Sequence, residues 1–340
     1  MTICALSVFA AAQAFCAAAA TADVLDGIAA IGAGSSSNAP TNYPGILQDH
    51  RGLNFGGPGI PYAVGYVGAD AGEILALGNQ VDQTVAQILG GNVTLVTMTI
   101  GDNDYIDVGD QIAAGALAGA ALTAFQAQVA NDIATGVNEL RAAGAAMVLG
   151  GFANIVYSPA AADIEAIPIA KARLEGALSG GNDLVRDYAN AQGIPYIDFF
   201  ALQTDVYEAG VAEIGGVNLI LTGYGADPHY FFQDPYHAGI LVRGAIANLY
   251  LQAINAGYGT NIPLLTDLEI LTLAGLEDEY VNETFNDQYA YPAYVSVPEP
   301  SAVLLAGVGL AAVAACATRR RMRRSLAIAS QQPVPAVRTA

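Results

Sequence analysis

The sequence predicts an α/β domain built on a parallel sheet, and three observations point to this fold class. Short apolar runs alternate with segments of helical periodicity between residues 23 and 296. The clearest apolar run, Val93–Ile100, is continuous and rich in β-branched residues, as in a strand that is buried on both faces. The helical segments are long enough to act as crossovers, so the strands that they connect should be parallel.

Five strands and three helices are predicted in this alternation. The strands are Ile28–Gly32, a weaker one at Leu53 or Ala63–Val67, Val93–Ile100, Ala145–Gly151 and Pro195–Phe200. The helices are Ala121–Ala143, which ends at Gly144 as a C-cap, Ile164–Gln192, in which Gly180-Gly181 is a candidate interruption, and Gly239–Gly257. In such sheets ligands bind beyond the carboxyl ends of the strands, so the residues just after each strand are the candidates for chemistry.

The amino terminus has the features of a secretory signal peptide over residues 1–22. An alanine-rich apolar run from Ile3 to Ala20 carries no charged side chain, and Ala20-Thr21-Ala22 matches the A-x-A cleavage pattern. Basic residues, which usually precede such a run, do not occur here. These features predict export and a mature chain that begins near Asp23.

Composition limits what the domain at residues 23–296 can do. The three cysteines, Cys4, Cys16 and Cys316, lie outside it, so the sequence offers it no disulfide framework or thiolate metal site. Thirty acidic and six basic side chains fall within residues 23–298, and so acidic a domain would repel nucleic-acid phosphates. No P-loop, zinc-protease or dinucleotide-binding motif occurs. We therefore expect no nucleic-acid partner and no cofactor.

The carboxyl-terminal segment has the pattern of a sorting signal. Pro298-Glu299-Pro300 precedes an apolar run at residues 302–318, and five arginines follow the run within residues 319–324. This layout predicts a short transmembrane helix whose arginine end stays in the cytoplasm. It resembles the PEP-CTERM sorting signal, which a membrane exosortase recognises and removes.

The resemblance to PEP-CTERM signals implies a route for the protein. Residues 297–324 would be the signal, followed by a disordered tail at residues 325–340. The helix at 302–318 would hold the protein in the inner membrane until the exosortase-type enzyme processes it. The domain would then reach the cell surface or the extracellular medium.

Polar residues follow the predicted strands at four places. Ser35 and Ser36 come after the first strand, Gly68 after the weak second strand, and Asn103 after the third. Asp234 and His237 precede the last helix, at a spacing of three residues that brings a carboxylate beside an imidazole. Such a pair suits a histidine general base that an aspartate orients.

The order of these four blocks resembles the SGNH (GDSL-type) hydrolase family across residues 26–257. That family has a three-layer α/β/α, flavodoxin-like fold, and the resemblance implies the same fold here with about five parallel strands. It implies that Gly68 and Asn103 belong to an oxyanion hole, that His237 is the base and that Asp234 orients it. The implied activity is hydrolysis of carboxylic esters, either lipids or O-acetylated polysaccharides, through an acyl-enzyme.

The nucleophile block departs from the family's Gly-Asp-Ser, and three alignments are open. Ser36 is the nucleophile if Gly34-Ser35-Ser36 replaces Gly-Asp-Ser. Ser35 is the nucleophile if Gly34 is an insertion. An ungapped alignment of Gly32-Ala33-Gly34 places Gly34 at the nucleophile position. We favour Ser35 or Ser36 from the sequence, equally.

Two other functions compete with the esterase. The altered block motivates a catalytically inactive surface or exopolysaccharide-matrix protein that keeps the fold. Four carboxylates after the third strand motivate a calcium-dependent adhesive module, since oxygen-rich loops bind calcium; they are Asp102, Asp104, Asp107 and Asp110.

Overall fold

A five-stranded sheet forms the centre of the computed structural model, which describes residues 25–37, 39–57, 60–285 and 291–298. Its strands, in order across the sheet, are β1 (Ile28–Gly32), β2 (Leu95–Thr99), β3 (Ala146–Gly150), β4 (Tyr196–Ile197) and β5 (Val295–Ser296). The first four are parallel, and β5 runs antiparallel to β4. The predicted α/β class with a largely parallel sheet is therefore confirmed.

Helices connect the parallel strands and complete the fold. They are α1 (Tyr43–Arg51), α2 (Gln80–Leu89), α3 (Asp102–Ala114), α4 (Gly119–Ala143), α5 (Ala162–Glu165), α6 (Pro168–Gln192), α7 (Phe199–Ala209), α8 (Ile240–Tyr258) and α9 (Asp267–Ala274). Two short hairpins pair Gly56–Gly57 with Ile60–Pro61 and Glu213–Ile214 with Val217–Asn218. The described residues up to Val297 form one unit, and Pro298 belongs to a second.

Alternate residues of each strand enter two separate hydrophobic cores. On one face Ile28, Leu95 and Val148 pack with apolar residues of α1, α8 and α9. On the other face Ile31 and Met98 pack with apolar residues of α2, α4 and α6. Helices therefore cover both faces of the sheet, which makes the three-layer α/β/α arrangement that the sequence predicts.

Three predicted elements differ from the structure. The strand predicted at Pro195–Phe200 ends at Ile197, because the Asp198 carboxylate accepts a hydrogen bond from the Ala201 N–H and caps α7. The helix predicted at Ile164–Gln192 is interrupted before Pro168, between α5 and α6, and not at Gly180-Gly181, which lies within α6. A Cβ on Gly181 would collide with the Tyr105 hydroxyl, so this glycine serves packing.

The weak strand at Ala63–Val67 contributes only isolated bridges, Ala30 to Ala63 and Ser37 to Val64. The fifth strand comes instead from Val295–Ser296, close to the sorting signal.

Gly32 closes the end of β1 against β2. A Cβ on this residue would lie 1.8 Å from the Thr99 carbonyl oxygen, and its φ of 130° is one that other residues rarely adopt. Its N–H donates to Gln80 Oε1 over 2.7 Å, and its carbonyl accepts from Gln80 Nε2. These contacts fix the start of the loop that carries Gly34, Ser35 and Ser36.

A buried carboxylate helps to hold the chain after α8. Asp267 Oδ2 accepts hydrogen bonds from the backbone N–H groups of Gly215, Thr284 and Phe285, at 3.0, 2.6 and 2.9 Å. The side chain of Asp267 is fully buried. It therefore joins α9 to the 213–218 hairpin and to the backbone at Thr284 and Phe285.

Candidate active site

One cavity of about 190 Å³ lies among the segments that follow the carboxyl ends of β1, β2 and β3. Its lining includes five of the residues singled out by the sequence: Gly34, Ser35, Gly68, Asn103 and His237. The expectation that ligands bind beyond the carboxyl ends of parallel strands therefore locates a concave site in this protein.

His237 is held by Asp234 in the geometry of a histidine base. The imidazole Nδ1 lies 2.8 Å from Asp234 Oδ2, and Asp234 Oδ1 accepts from the N–H groups of Tyr236 and His237 at 3.0 and 2.9 Å. Partial burial raises the pKa of Asp234, but these hydrogen bonds outweigh it and hold the pKa below its ordinary value. An ionised Asp234 keeps the Nδ1 proton in place, so Nε2 is the nitrogen available to accept a proton.

The residue that faces this nitrogen is Gly34. A Cβ built on Gly34 would lie 3.4 Å from His237 Nε2 and 3.0 Å from Val67 Cγ2. A serine hydroxyl extends one bond beyond Cβ, so a serine at this position would reach Nε2 at hydrogen-bond distance. Position 34 thus has the geometry expected of a nucleophile, and the residue there has no side chain.

The two serines predicted as nucleophiles occupy different environments. Ser36 is fully buried, and its Oγ has no hydrogen bond of ordinary geometry among the described residues. A Cβ on Gly32 would be 3.3 Å from this Oγ. Burial raises the pKa of the Tyr43 phenol, and the nearby Ser36 hydroxyl offsets part of that rise. Ser35 is exposed and lines the cavity.

Gly68 and Asn103 lie on the cavity wall beside this loop. Asn103 Nδ2 donates to the Ala69 carbonyl over 2.6 Å, which fixes the amide near Gly68. Gly68 has a φ of 85°, in the left-handed region that favours glycine. Their role in an oxyanion hole stays a prediction.

The carboxylates that motivated a calcium site point apart. Asp102 Oδ1 accepts from the Ala153 N–H at 2.8 Å, whereas Asp104 Oδ2 accepts from the Ala71 N–H at 2.9 Å, on another segment. Within the part of the chain that the structure describes, no three His, Cys, Asp or Glu side chains converge to hold a metal ion. The four carboxylates of the calcium hypothesis, which include Asp107 and Asp110, therefore do not form a metal-binding cluster among the described residues.

Asp102 should make stability depend on pH. Burial raises its pKa to about 6, and the hydrogen bond from the Ala153 N–H only partly offsets this. Between the unfolded and folded pKa values the native state holds a proton that the unfolded state has lost, so stability falls as the pH rises through this window. We expect Asp102→Asn to remove a decline on the order of 2 kcal/mol between pH 4 and 7 in the free energy of unfolding, measured with urea.

Asp110→Asn is the matched control, because Asp110 lies on the same helix and is exposed. It should leave the pH dependence as in the native protein. Identical pH profiles for the native protein and for Asp102→Asn would contradict the assignment.

Sequence reasoning missed the apolar part of the cavity. Phe199, Phe231, Phe232 and Phe285 line it, and Val67 lies over Gly34. Phe231-Phe232 stands two residues before Asp234, so an aromatic pair next to a candidate base was the available signal.

Comparison with protein families supports the sorting signal that is predicted near the carboxyl terminus. Residues 296–321 match the PEP-CTERM protein-sorting motif. A search among curated proteins finds no match to this sequence. No helix in the described ranges is long and apolar enough to cross a membrane, and the predicted helix at 302–318, the leader at 1–22 and the tail at 325–340 lie outside those ranges.

Several solved structures are similar to this chain at low identity. A variant of an acetyl xylan esterase from Geobacillus stearothermophilus is 14% identical, with a TM-score of 0.43 over 67% of this chain and 94% of the other. A phospholipase A1 from Streptomyces albidoflavus is 18% identical, with a TM-score of 0.44 over 68% and 99%. A putative acylhydrolase from Bacteroides fragilis is 15% identical, with a TM-score of 0.38 over 68% and 88%.

Proposed function

We propose that this protein is an exported ester-binding protein whose site is of the SGNH hydrolase type but does not form an acyl-enzyme. One observation carries the proposal: Gly34 occupies the place from which a side chain would meet His237 Nε2. The most direct alignment of Gly32-Ala33-Gly34 with Gly-Asp-Ser supports the same reading. The proposal develops the inactive alternative that the altered block motivates, a surface or matrix protein that keeps the fold, and adds an ester as its ligand.

The rest of the site supports recognition of an ester carbonyl. Asn103 is positioned by its hydrogen bond to the Ala69 carbonyl. Gly68 and Gly34 contribute backbone atoms to the lining of the same cavity. Backbone and amide N–H groups of this kind stabilise a carbonyl oxygen. The Asp234–His237 pair would add a hydrogen-bonding nitrogen beside the bound ester. Binding would use these groups, whereas acyl transfer by a nucleophile at position 34 would also need a hydroxyl there.

The sorting motif supports the location that we propose. A match to PEP-CTERM signals at residues 296–321 favours export, processing by an exosortase-type enzyme and transient anchoring in the inner membrane. The large excess of acidic side chains suits a soluble surface outside the cell.

Labelling of the purified full chain with a fluorophosphonate, followed by peptide mass spectrometry, tests the proposal. We expect no modified serine under conditions in which a control serine esterase is labelled completely. We also expect His237→Ala to leave the rate of hydrolysis of model esters unchanged. A serine adduct that disappears in His237→Ala would overturn the proposal.

The second candidate is the serine esterase that the sequence favours, with Ser35 as nucleophile. The exposed position of Ser35 in the cavity lining supports it. Ser35 would attack the ester carbonyl while His237 takes its proton, and water would then release the acid. Turnover that is lost in both Ser35→Ala and His237→Ala would establish this candidate. Turnover that survives Ser35→Ala would eliminate it.

A further inference from the structure

The cavity has an apolar wall separate from the polar groups around Gly34. Six side chains are part of this wall: Phe199, Leu202, Val206, Leu219, Phe231 and Phe232. Phe231 and Phe232 pack edge to face at 5.0 Å between ring centroids, and Phe199 lies 6.0 Å from the ring of Tyr250. Five of the six side chains are buried, and Leu202 is half-buried. Such a wall binds hydrocarbon and offers a sugar ring few partners.

The size of the cavity limits the hydrocarbon that it can hold. The whole cavity, including the space beside Gly34 and His237 where the ester carbonyl would lie, measures about 190 Å³. An apolar cavity of about 150 Å³ takes one benzene molecule, of six carbon atoms. By this measure an acetyl group would leave most of the wall without contacts. A chain of twelve or more carbons would have to leave the cavity.

We infer that the ligand is an ester of a medium-chain fatty acid, with about six to nine carbons in the acyl group. This inference rests on the proposed function, because the polar groups near Gly34 must hold the ester carbonyl while the chain follows the apolar wall. Each methylene that leaves water should tighten binding about three- to fourfold until the cavity is full.

Isothermal titration calorimetry of the full chain with glycerol monoesters measures this preference. The series is acetyl, butanoyl, hexanoyl, octanoyl and dodecanoyl, each kept below its critical micelle concentration. We expect affinity to rise at least 100-fold from acetyl to octanoyl and to fall at dodecanoyl. Equal affinities across the series, tightest binding of acetyl, or a continued rise to dodecanoyl would each overturn the inference.

Cavity-filling variants locate the bound chain. Leu202→Trp should weaken octanoyl binding at least 10-fold. Leu89→Trp is the matched control, since Leu89 is 72% exposed and does not line the cavity, and it should bind as the native protein does. Ala245→Leu fills the cavity from α8 and repeats the test if Leu202→Trp does not fold. Unchanged octanoyl binding in a folded cavity-filling variant would place the chain elsewhere and refute the inference.

The same experiments separate this inference from the proposed function. If the protein turns over esters, product release appears in the calorimeter and the proposed function fails. The dependence of kcat/KM on chain length then reports the acyl preference independently.

Discussion

Gly34→Ser should give this protein the esterase activity that, under the proposed function, the native chain lacks. The new hydroxyl would lie at hydrogen-bond distance from His237 Nε2, since the Cβ position is 3.4 Å from that nitrogen. The backbone of Gly34 does not have a positive φ, and the nearest obstacle is the end of the exposed Val67 side chain, so serine can be accommodated. Nucleophile and base act as a unit that can contribute on the order of 10⁶ to kcat in serine hydrolases. We expect a rise of at least about 10³ in hydrolysis of an octanoyl ester, because an engineered site realises only part of that factor.

Gly34→Ala separates the effect of the hydroxyl from the effect of the added side-chain volume. Alanine supplies the same Cβ without a nucleophile, so it should remain inactive and resist fluorophosphonate. Gly34→Ser combined with His237→Ala should lose both labelling and turnover. A Gly34→Ser variant that folds, as judged by circular dichroism, and hydrolyses no faster than Gly34→Ala would contradict the assignment of position 34.

Asp267→Ala should be among the most destabilising single substitutions in the domain. It removes a fully buried acceptor of three backbone hydrogen bonds and leaves the N–H groups of Gly215, Thr284 and Phe285 without that partner. Each unsatisfied buried group costs on the order of 1 kcal/mol or more, so we expect a loss of about 3 kcal/mol in the free energy of unfolding. Urea denaturation followed by circular dichroism measures it.

Two further variants test the cause of this loss. Asp278→Ala removes a carboxylate from the exposed segment that follows α9, and it should change stability by less than about 0.5 kcal/mol. Asp267→Asn keeps one acceptor oxygen and should fall between the two. Because Phe285 lines the cavity, Asp267→Ala should also weaken octanoyl binding. A stability equal to that of Asp278→Ala would refute the role of Asp267.

Much of the fold could be predicted because its signals are local. β1 matches its prediction at Ile28–Gly32, and β2 and β3 lie within their predicted runs, since buried parallel strands are continuous apolar segments. The fifth strand could not be found this way. Val295–Ser296 is two residues long, and its pairing with Tyr196 and Ile197 is about 100 residues distant along the chain.

The sequence could predict which segments form the site. It could not predict which residue in the loop after β1 faces His237. The spacing of Asp234 and His237 anticipates their contact, because three residues span one turn. The position of the serines depends on whether the loop after Gly32 contains an insertion. The amino-acid sequence alone does not determine this. The 3₁₀ turn at Gly34–Ser36 decides the geometry by burying Ser36 and turning Gly34 toward His237.

The place of β5 has a consequence for how the protein is made. Ser296 pairs with Tyr196 at the edge of the sheet and is also the first residue of the sorting-motif match. A secreted chain leaves the cytoplasm from its amino terminus. Almost the whole domain is therefore translocated before this strand can form. Until then the free edge of β4 offers unpaired backbone groups to other chains. Completion of the sheet and translocation of the sorting motif should therefore coincide, so that this edge is covered before the protein leaves the membrane.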